Sequence, residues 1–320
     1  MVINYTAPGV TTLRATNSAL LSVTFYDGDT VADPGTVTVT ITRDDGTALL
    51  TGASTSGTGA AARTRTLTGA ETASLDLLTA VWSGTVNATA VSITTRYDVV
   101  GDHLFSLAEA RAFDGGKLAD TDAYLDADIQ AARERIATWF EQICGVAFFR
   151  RYRRVDLDGP GVAPLRWDDR RVAIDGDEDG ALLLPDRRVA TIRSAAVRAR
   201  GGQTWTALTA DELAACALDP DGGLLYREAL GSWPAGRRNI RVAYEHGHDR
   251  VPEPIAFAAL KVLVNQIIPS SLSDRTIQTS TQFGTIQLAT PNPSIYGRWF
   301  GLPVVDAILA EFSERVPGLA

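Results

Sequence analysis

The residues best suited to metal chemistry lie in two short strings. In the first, Asp175, Asp177 and Asp179 alternate with other residues and a glycine follows. Carboxylates at this spacing begin the loops that bind calcium. Asp186 stands where a bidentate glutamate would close the loop, but it is shorter than glutamate, and Pro185 does not fit a following helix. A solvated acidic turn is the alternative, because aspartate and glycine dominate turns. We therefore assign no metal ligands.

The second string contains His246, His248 and Asp249. It resembles the H-x-H-x-D pattern of metal-dependent hydrolases, but Asp249 follows His248 directly and breaks the spacing. His103 is the only other histidine of the chain. A polar strand end before Pro252 is the simpler interpretation, and a metal-dependent hydrolase is the least favoured alternative. Because no nucleophile motif and no phosphate-binding loop is present, we predict no enzyme and no catalytic or cofactor-binding residues.

Four arginines, Arg150, Arg151, Arg153 and Arg154, surround a tyrosine after two phenylalanines. Alternation along a strand would place Arg151 and Arg153 on one face. We expect these two residues to contact a partner, either an acidic protein surface or DNA phosphates. The alternative is a strand edge whose charges keep it solvated and resistant to aggregation.

The composition of the 320-residue chain limits the classes of protein that it can be. Its formal net charge of -8 argues against general nucleic-acid binding, and 45% hydrophobic residues suffice for buried cores. Cys144 and Cys216 are too isolated for a disulfide scaffold or a zinc site. The most apolar run, residues 255–268, is too short for a membrane span. We expect a soluble protein that is made in a cytoplasm and has no membrane partner.

Residues 1–100 have the pattern of an all-β domain. Short runs such as Leu21, Val23 and Phe25 alternate apolar and polar positions, and turn signals separate the runs. Several such strands without a helical stripe predict an immunoglobulin-like β-sandwich that lacks the usual disulfide. Trp82 lies inside one run, and we expect it to anchor the core.

Helices are predicted after Gly101. Ser106 and Glu109 form a capping box, and Gly145 can provide a left-handed helix stop. Between them runs an apolar stripe with spacings of three and four, made of Leu125, Ile129, Ala132, Ile136, Phe140 and Ile143. This pattern predicts helices over 106–145. Strand-like alternation returns at 150–248 and predicts a β insertion.

Prolines mark the remaining helices. Pro252 and Pro254 predict a helix over 253–268, and Pro303 predicts a C-terminal helix over 303–315. Residues 270–300 between them are predicted to form an extended loop. The predicted fold class is multidomain α+β. An all-β immunoglobulin-like sandwich at 1–100 precedes a domain at 101–320, which is a small helical bundle carrying a β insertion.

Several stretches resemble, in their order along the chain, the head–tail adaptor (connector) family of long-tailed bacteriophages. They are FSLAEAR at 105–111, CGVAF at 144–148, LPDRRV at 184–189, YEHG at 244–247 and GLPVVD at 301–306. The resemblance covers about residues 102 to 316. The N-terminal sandwich is similar to immunoglobulin-like modules that decorate phage structural proteins.

The resemblance implies a virion structural protein that forms a ring, commonly of twelve copies. The ring would lie in the neck of the virion, and the protein would be in the host cytoplasm during assembly. Its partners would be other copies of itself, the portal protein and a stopper or tail-completion protein. Genomic DNA would pass through the channel at ejection without sequence-specific binding. The alternative is an immunoglobulin-like binding or decoration protein with no role in the DNA channel.

We expect the long loop and the last helix to carry partner contacts. A polar loop with strand-like alternation can add to a neighbouring sheet edge, and the helix has an apolar face. The alternative is that the helix covers its own core and the loop is a linker. The predicted contact residues, besides the two arginines, are Thr276, Ile277, Gln278, Phe283, Ile286, Leu288, Val304, Val305, Ile308 and Phe312.

Overall fold

The computed structural model has a mixed α+β fold in which strands predominate. Contacts divide the chain into two compact units. The β unit combines Met1–Asp102 with Arg150–Gly247, and the helical unit combines His103–Phe149 with His248–Ala320. The described residues are 10–27, 29–59, 62–159, 181–199, 202–227, 233–268, 278–281, 284–287 and 299–313.

The elements follow one another along the chain as four groups. The first group is β1 (Thr11–Arg14), β2 (Ala19–Val23), β3 (Tyr26–Asp27), β4 (Thr30–Val31), β5 (Thr38–Thr42), β6 (Ala48–Ser54), β7 (Arg63–Leu67), β8 (Asp76–Val86) and β9 (Thr89–Val100). The second is α1 (Leu107–Gly116) and α2 (Asp126–Cys144). The third is β10 (Arg151–Leu157), β11 (Leu182–Leu183), β12 (Val189–Val197), β13 (Thr206–Ala207), α3 (Ala210–Ala214), β14 (Ala217–Asp219), β15 (Leu224–Tyr226) and β16 (Ile240–His246). The last is α4 (Glu253–Ile267), β17 (Gln278–Thr281), β18 (Gly284–Gln287) and α5 (Pro303–Phe312).

The first part of the β unit, Met1–Asp102, is built from paired strands. A five-stranded sheet has the order β1-β9-β8-β5-β6, with β1 and β9 parallel and the other neighbours antiparallel. Antiparallel pairs β2-β7 and β3-β4 accompany it. Apolar side chains of the five-stranded sheet and of the β2-β7 pair share one core.

Trp82 occupies this core. The register places it beside Val39 on β5 and Ile93 on β9, and all three are at most 1% exposed. The indole Nε1 donates a hydrogen bond to Thr95 Oγ1 at 3.0 Å, so burial leaves the ring donor satisfied. The expectation that Trp82 anchors the core is confirmed.

The second part of the β unit has its own sheets and its own core. A four-stranded antiparallel sheet has the order β10-β16-β12-β13, and a smaller one has the order β11-β15-β14. Ile240, Val242 and Tyr244 alternate along β16 and are fully buried. Trp233 joins them, and its ring N–H donates to the carbonyl of Leu225 at 3.1 Å. Alternation along β16 therefore turns its other face, with Arg241 and Glu245, away from this core.

The helical unit packs α2 against α1, α4 and α5, and α4 also contacts α5. The buried positions of α2 follow the spacing of three and four that predicted its stripe. β17 and β18 form an antiparallel pair. Among the described residues, no helix combines the length and the apolar character that a membrane crossing requires.

The local signals for helix ends are confirmed. Ser106 Oγ accepts from the backbone N–H of Glu109 at 3.1 Å, and the Glu109 carboxylate accepts from the Ser106 N–H at 2.6 Å. Gly145 has φ 75° and ends α2, and α5 begins at Pro303. The predicted stripe is wrong at Leu125. This residue precedes α2 as its N-cap, so its side chain lies outside the buried face and is 54% exposed.

The β insertion expected at 150–248 is present as β10 to β16. Its contacts group it with residues 1–102, whereas the sequence analysis assigned it to the same domain as the helices. The division into independently folding domains stays a prediction. The expected helical stretch 106–145 is two helices separated at 117–125, and the expected loop 270–300 contains the β17-β18 pair.

Candidate functional site

Each arginine of the basic cluster lies beside a carboxylate of the β unit. The pairs are Arg150 with Glu245 at 3.0 Å, Arg151 with Asp98 at 2.8 Å, Arg153 with Asp186 at 2.8 Å, and Arg154 with Asp44 at 2.9 Å. Partner contact by Arg151 and Arg153 stays a prediction. Intramolecular pairing favours the alternative in which the cluster is structural, because a guanidinium already bound to a carboxylate has less to gain from a second anion.

Asp44 joins the two parts of the β unit. It lies in the turn between β5 and β6, and its Oδ2 accepts a hydrogen bond from the hydroxyl of Tyr152 on β10 at 3.0 Å. Arg154 reaches the same oxygen. Burial, together with the negative charge of Asp44, raises the pKa of Tyr152, so the phenol keeps its proton and donates it.

A second set of contacts joins the same parts through Arg193. Its Nη1 donates to the carbonyl of Leu75 at 2.7 Å, and its Nη2 lies 2.6 Å from Glu245 Oε1. The guanidinium carbon also lies 5.2 Å from the ring centroid of Tyr152. One carboxylate, Glu245, thus binds both Arg150 and Arg193.

The pair of Arg151 and Asp98 is partly shielded from water. The two side chains are 25% and 17% exposed. Burial raises the pKa of the Asp98 carboxyl, and the nearby guanidinium of Arg151 only partly offsets that effect. The ion pair therefore mainly offsets the free-energy cost of burying the ionised Asp98 carboxylate. Removing Arg151 would leave that cost without compensation.

The carboxylate of Asp186, the residue expected to close a calcium loop, accepts hydrogen bonds from other side chains of the protein. Arg153 Nη1 donates to both of its oxygens at 2.8 and 2.9 Å, and the Tyr244 hydroxyl donates to Oδ2 at 2.6 Å. His246 Nε2 lies 3.7 Å from the same oxygen. Burial lowers the pKa of His246, although Asp186 opposes the shift, so the imidazole is neutral at pH 7.

The two histidines of the second string belong to different units. His246 lies beside Asp186, while His248 stacks on Phe148 with ring centroids 6.2 Å apart. Within the described ranges, no group of three or more His, Cys, Asp and Glu side chains could hold a metal ion. Asp175, Asp177 and Asp179 lie outside the described residues.

The predicted contact residues of the last helix divide into exposed and buried positions. Val304 is 60% exposed, whereas Val305 is 1% exposed. Ile308 is half-buried, and Phe312 packs edge-on against Phe148 with centroids 6.1 Å apart. Among these four residues, Val304 is therefore the position most available to another chain.

The predicted contact residues of the loop are described only in part. Gln278 lies on β17 and Ile286 on β18, where the backbones pair Gln278 with Gln287 and Thr279 with Ile286. Thr276, Ile277, Phe283 and Leu288 lie outside the described residues.

The helical unit also exposes aromatic residues that the sequence analysis missed. Trp139, Phe257 and Trp299 are 39%, 39% and 41% exposed. The Trp139 ring lies 6.0 Å from that of Phe300, and Asp306 accepts the backbone N–H of Phe300 at 3.0 Å, which fixes the chain before α5. Trp139 directly precedes the stripe residue Phe140 but does not lie on the stripe. This position was the signal in the sequence from which its exposure could have been predicted. Exposed aromatics on ordered elements are typical of protein interfaces.

No protein-family model matches the chain, and the search of curated proteins finds no matching relative.

Proposed function

We propose that the chain is a virion structural protein of a tailed bacteriophage. It acts as a head–tail adaptor, a ring subunit between the portal and the tail-completion proteins, and performs no catalysis. The observation that carries the proposal is the way in which two segments of the chain build the helical unit. Helices from two chain segments, separated by a β insertion, form one compact unit, which is the arrangement implied by the resemblance.

The surface of the helical unit supports a role in assembly. The large exposed apolar residues among its described positions are Leu125, Trp139, Phe257, Trp299 and Val304. A small unit that presents several such side chains on helices, or next to them, gains free energy when another chain covers them. The β17-β18 pair supports the same role, because two strands alone are marginally stable and another sheet edge would stabilise them.

The strand order of the first part of the β unit supports an immunoglobulin-like module. β9, β8, β5 and β6 follow the G-F-C-C′ order of a variable-type sheet, and β2 with β7 takes the place of the B-E pair. This module acts as a decoration on the adaptor. An adaptor lining a DNA channel also benefits from net negative charge, here -8, because like charge keeps the genome from adhering to the wall.

The test is to locate the protein in the virion. Gold-labelled antibody against the chain should mark the head–tail junction, and a nonsense mutation in its gene should leave DNA-filled heads without tails. The mass of the isolated neck ring should correspond to twelve copies. Label spread over the head surface, with tails still attached in the mutant, would instead favour the alternative of an immunoglobulin-like decoration protein.

A further inference from the structure

A cluster of arginines and a tryptophan lies at one end of the four-stranded sheet of the β unit. Arg198 follows β12, Trp205 precedes β13 and Arg241 lies on β16. The guanidinium carbons of Arg198 and Arg241 lie 4.7 and 4.2 Å from the Trp205 ring centroid. The backbone N–H of Arg198 donates to Asn239 at 2.9 Å, which holds the ends of β12 and β16 together. These rigid elements fix the positions of the charges.

This cluster has more positive than negative charge. Arg241 forms a two-point ion pair with Asp156, at 2.7 and 3.0 Å. The hydrogen bond from Arg241 lowers the pKa of Asp156, and the charges of Arg241, Arg238 and Arg198 lower it further. Arg198 stacks on the same Trp205 ring as Arg241, and the exposed Arg238 lies three residues before Arg241 along the chain. Among the described residues, neither Arg198 nor Arg238 forms an ion pair of its own. We call Arg198, Trp205, Arg238 and Arg241 the arginine patch.

A surface of opposite charge lies on the helical unit before and within the first turn of α2. Residues 119–123 and 125–128 are exposed, and they include Asp120, Asp122, Asp126 and Asp128 around Leu125, which is 54% exposed. We call residues 119–128 the acidic segment. Asp122 and Asp128 have no cationic partner in the part of the chain that the structure describes.

One arginine of α1 holds the acidic segment in place. Arg111 donates to the carbonyls of Leu118, of Asp120 at 3.2 Å and of Tyr124 at 2.7 Å. It also lies 2.6 Å from Asp126 Oδ1. A segment that is already ordered loses little conformational entropy when it binds, so its unpaired carboxylates and Leu125 are prepared for a partner.

We propose that the arginine patch of one copy binds the acidic segment of the next copy. The contact places the carboxylates of Asp122 and Asp128 against Arg198 and Arg238, and Leu125 against the half-buried Trp205. It joins two different surfaces, so it is a head-to-tail contact of the kind that closes rings. The inference rests on the proposed function, which requires a ring, and adds the surfaces that form it.

Charge and size favour a protein segment over DNA as the occupant. Asp156 lies beside the patch as the ion-pair partner of Arg241, and Asp158 accepts the backbone N–H of Arg238 at 2.6 Å. Both carboxylates reduce the positive charge available to anions, so the patch suits the few carboxylates of a short segment better than a continuous phosphate backbone. DNA-binding surfaces usually contact several phosphates at once, and this patch offers few arginines for that purpose.

The test is a charge exchange in the full-length chain. One variant carries Arg198→Glu and Arg238→Glu, and the other carries Asp122→Arg and Asp128→Arg. Each variant alone opposes like charges, so sedimentation velocity at low salt should show an association constant lower than wild type by about tenfold or more. In an equal mixture, the unchanged patch of the second variant can bind the unchanged acidic segment of the first. The acidic patch of the first variant can likewise bind the basic segment of the second, so the two kinds of contact alternate. The mixture should recover assembly, since an even-numbered ring accommodates alternating copies.

Three controls decide the outcome. Arg135→Glu changes an exposed arginine of α2 outside the patch and should leave association at the wild-type level. Recovery in the mixture also shows that both variants are folded, and high salt should weaken wild-type assembly. Wild type that stays monomeric at low salt, or a mixture that does not recover, overturns the inference. Gold label absent from the virion neck would instead overturn the proposed function, so the two failures are distinguishable.

Discussion

The hydroxyl of Tyr152 donates a hydrogen bond to Asp44 Oδ2 at 3.0 Å, although the two residues are 108 positions apart. Arg154 Nε lies 2.9 Å from the same oxygen. The turn after β5 is therefore attached to β10 by side chains as well as by the intervening chain. This attachment accompanies the contacts of β10 with β8 and β9, and residues 1–102 belong to one compact unit with residues 150–247.

Replacing Tyr152 by phenylalanine should lower the free energy of unfolding by about 1–3 kcal/mol, because Asp44 loses a donor at a partly buried site. Tyr226→Phe is the matched control, since the Tyr226 hydroxyl has no hydrogen-bond partner among the described residues. Denaturant unfolding at pH 7 measures both. Equal losses in the two variants would show that the hydroxyl of Tyr152 contributes nothing specific.

Arg151→Met should destabilise the protein by about 1–3 kcal/mol at pH 7 and by less in acid. Burial already raises the pKa of Asp98, and loss of the guanidinium would raise it further. The ionised carboxylate is thus disfavoured in the folded state, and this penalty disappears as pH falls through the raised pKa and Asp98 becomes neutral. Arg135→Met, at an exposed position of α2, is the control. A stability difference independent of pH would contradict the assignment.

His246→Gln should flatten the acid dependence of stability. Burial lowers the pKa of His246 from its ordinary value of 6.5, so the unfolded chain binds a proton more readily than the folded one. The wild type therefore loses stability as pH falls from 6.5 through the lowered folded pKa, and the variant lacks this contribution. Unfolding free energies at a series of pH values measure the slopes. Comparison at pH 8, where the wild-type imidazole is neutral in both the folded and the unfolded chain, isolates the loss of packing.

Substitutions at two adjacent valines of α5 should distinguish an effect on assembly from an effect on folding. Under the proposed adaptor function, Val304→Glu should block assembly of the virion neck while leaving thermal stability nearly unchanged, because the side chain is 60% exposed. Val305→Glu should unfold the helical unit, since it buries a charge at a position that is 1% exposed. Melting temperature and the yield of tailed particles are the two measurements. Normal tailing by a stable Val304→Glu protein would remove this residue from the contact surface.

Much of the secondary structure could be predicted from the sequence because its signals are local. The capping box of Ser106 and Glu109 uses hydrogen bonds between residues three apart, and Gly145 needs only its own φ angle. Pro303 begins α5 because its ring suits the first turn of a helix. Alternation also identified Trp82 as a core residue, since a strand with one buried face must repeat every two residues.

The partners of the charged residues could not be predicted in the same way. The sequence shows the arginines at 150–154, but Arg151 and Arg153 find carboxylates 53 and 33 positions away. Leu125 fits the spacing of the α2 stripe, yet the helix begins one residue later and leaves it exposed. Local spacing determines which elements form and which face of each is apolar. Long-range packing decides which carboxylates the arginines at 150–154 meet, because these ion pairs depend on the approach of distant segments rather than on their order along the chain.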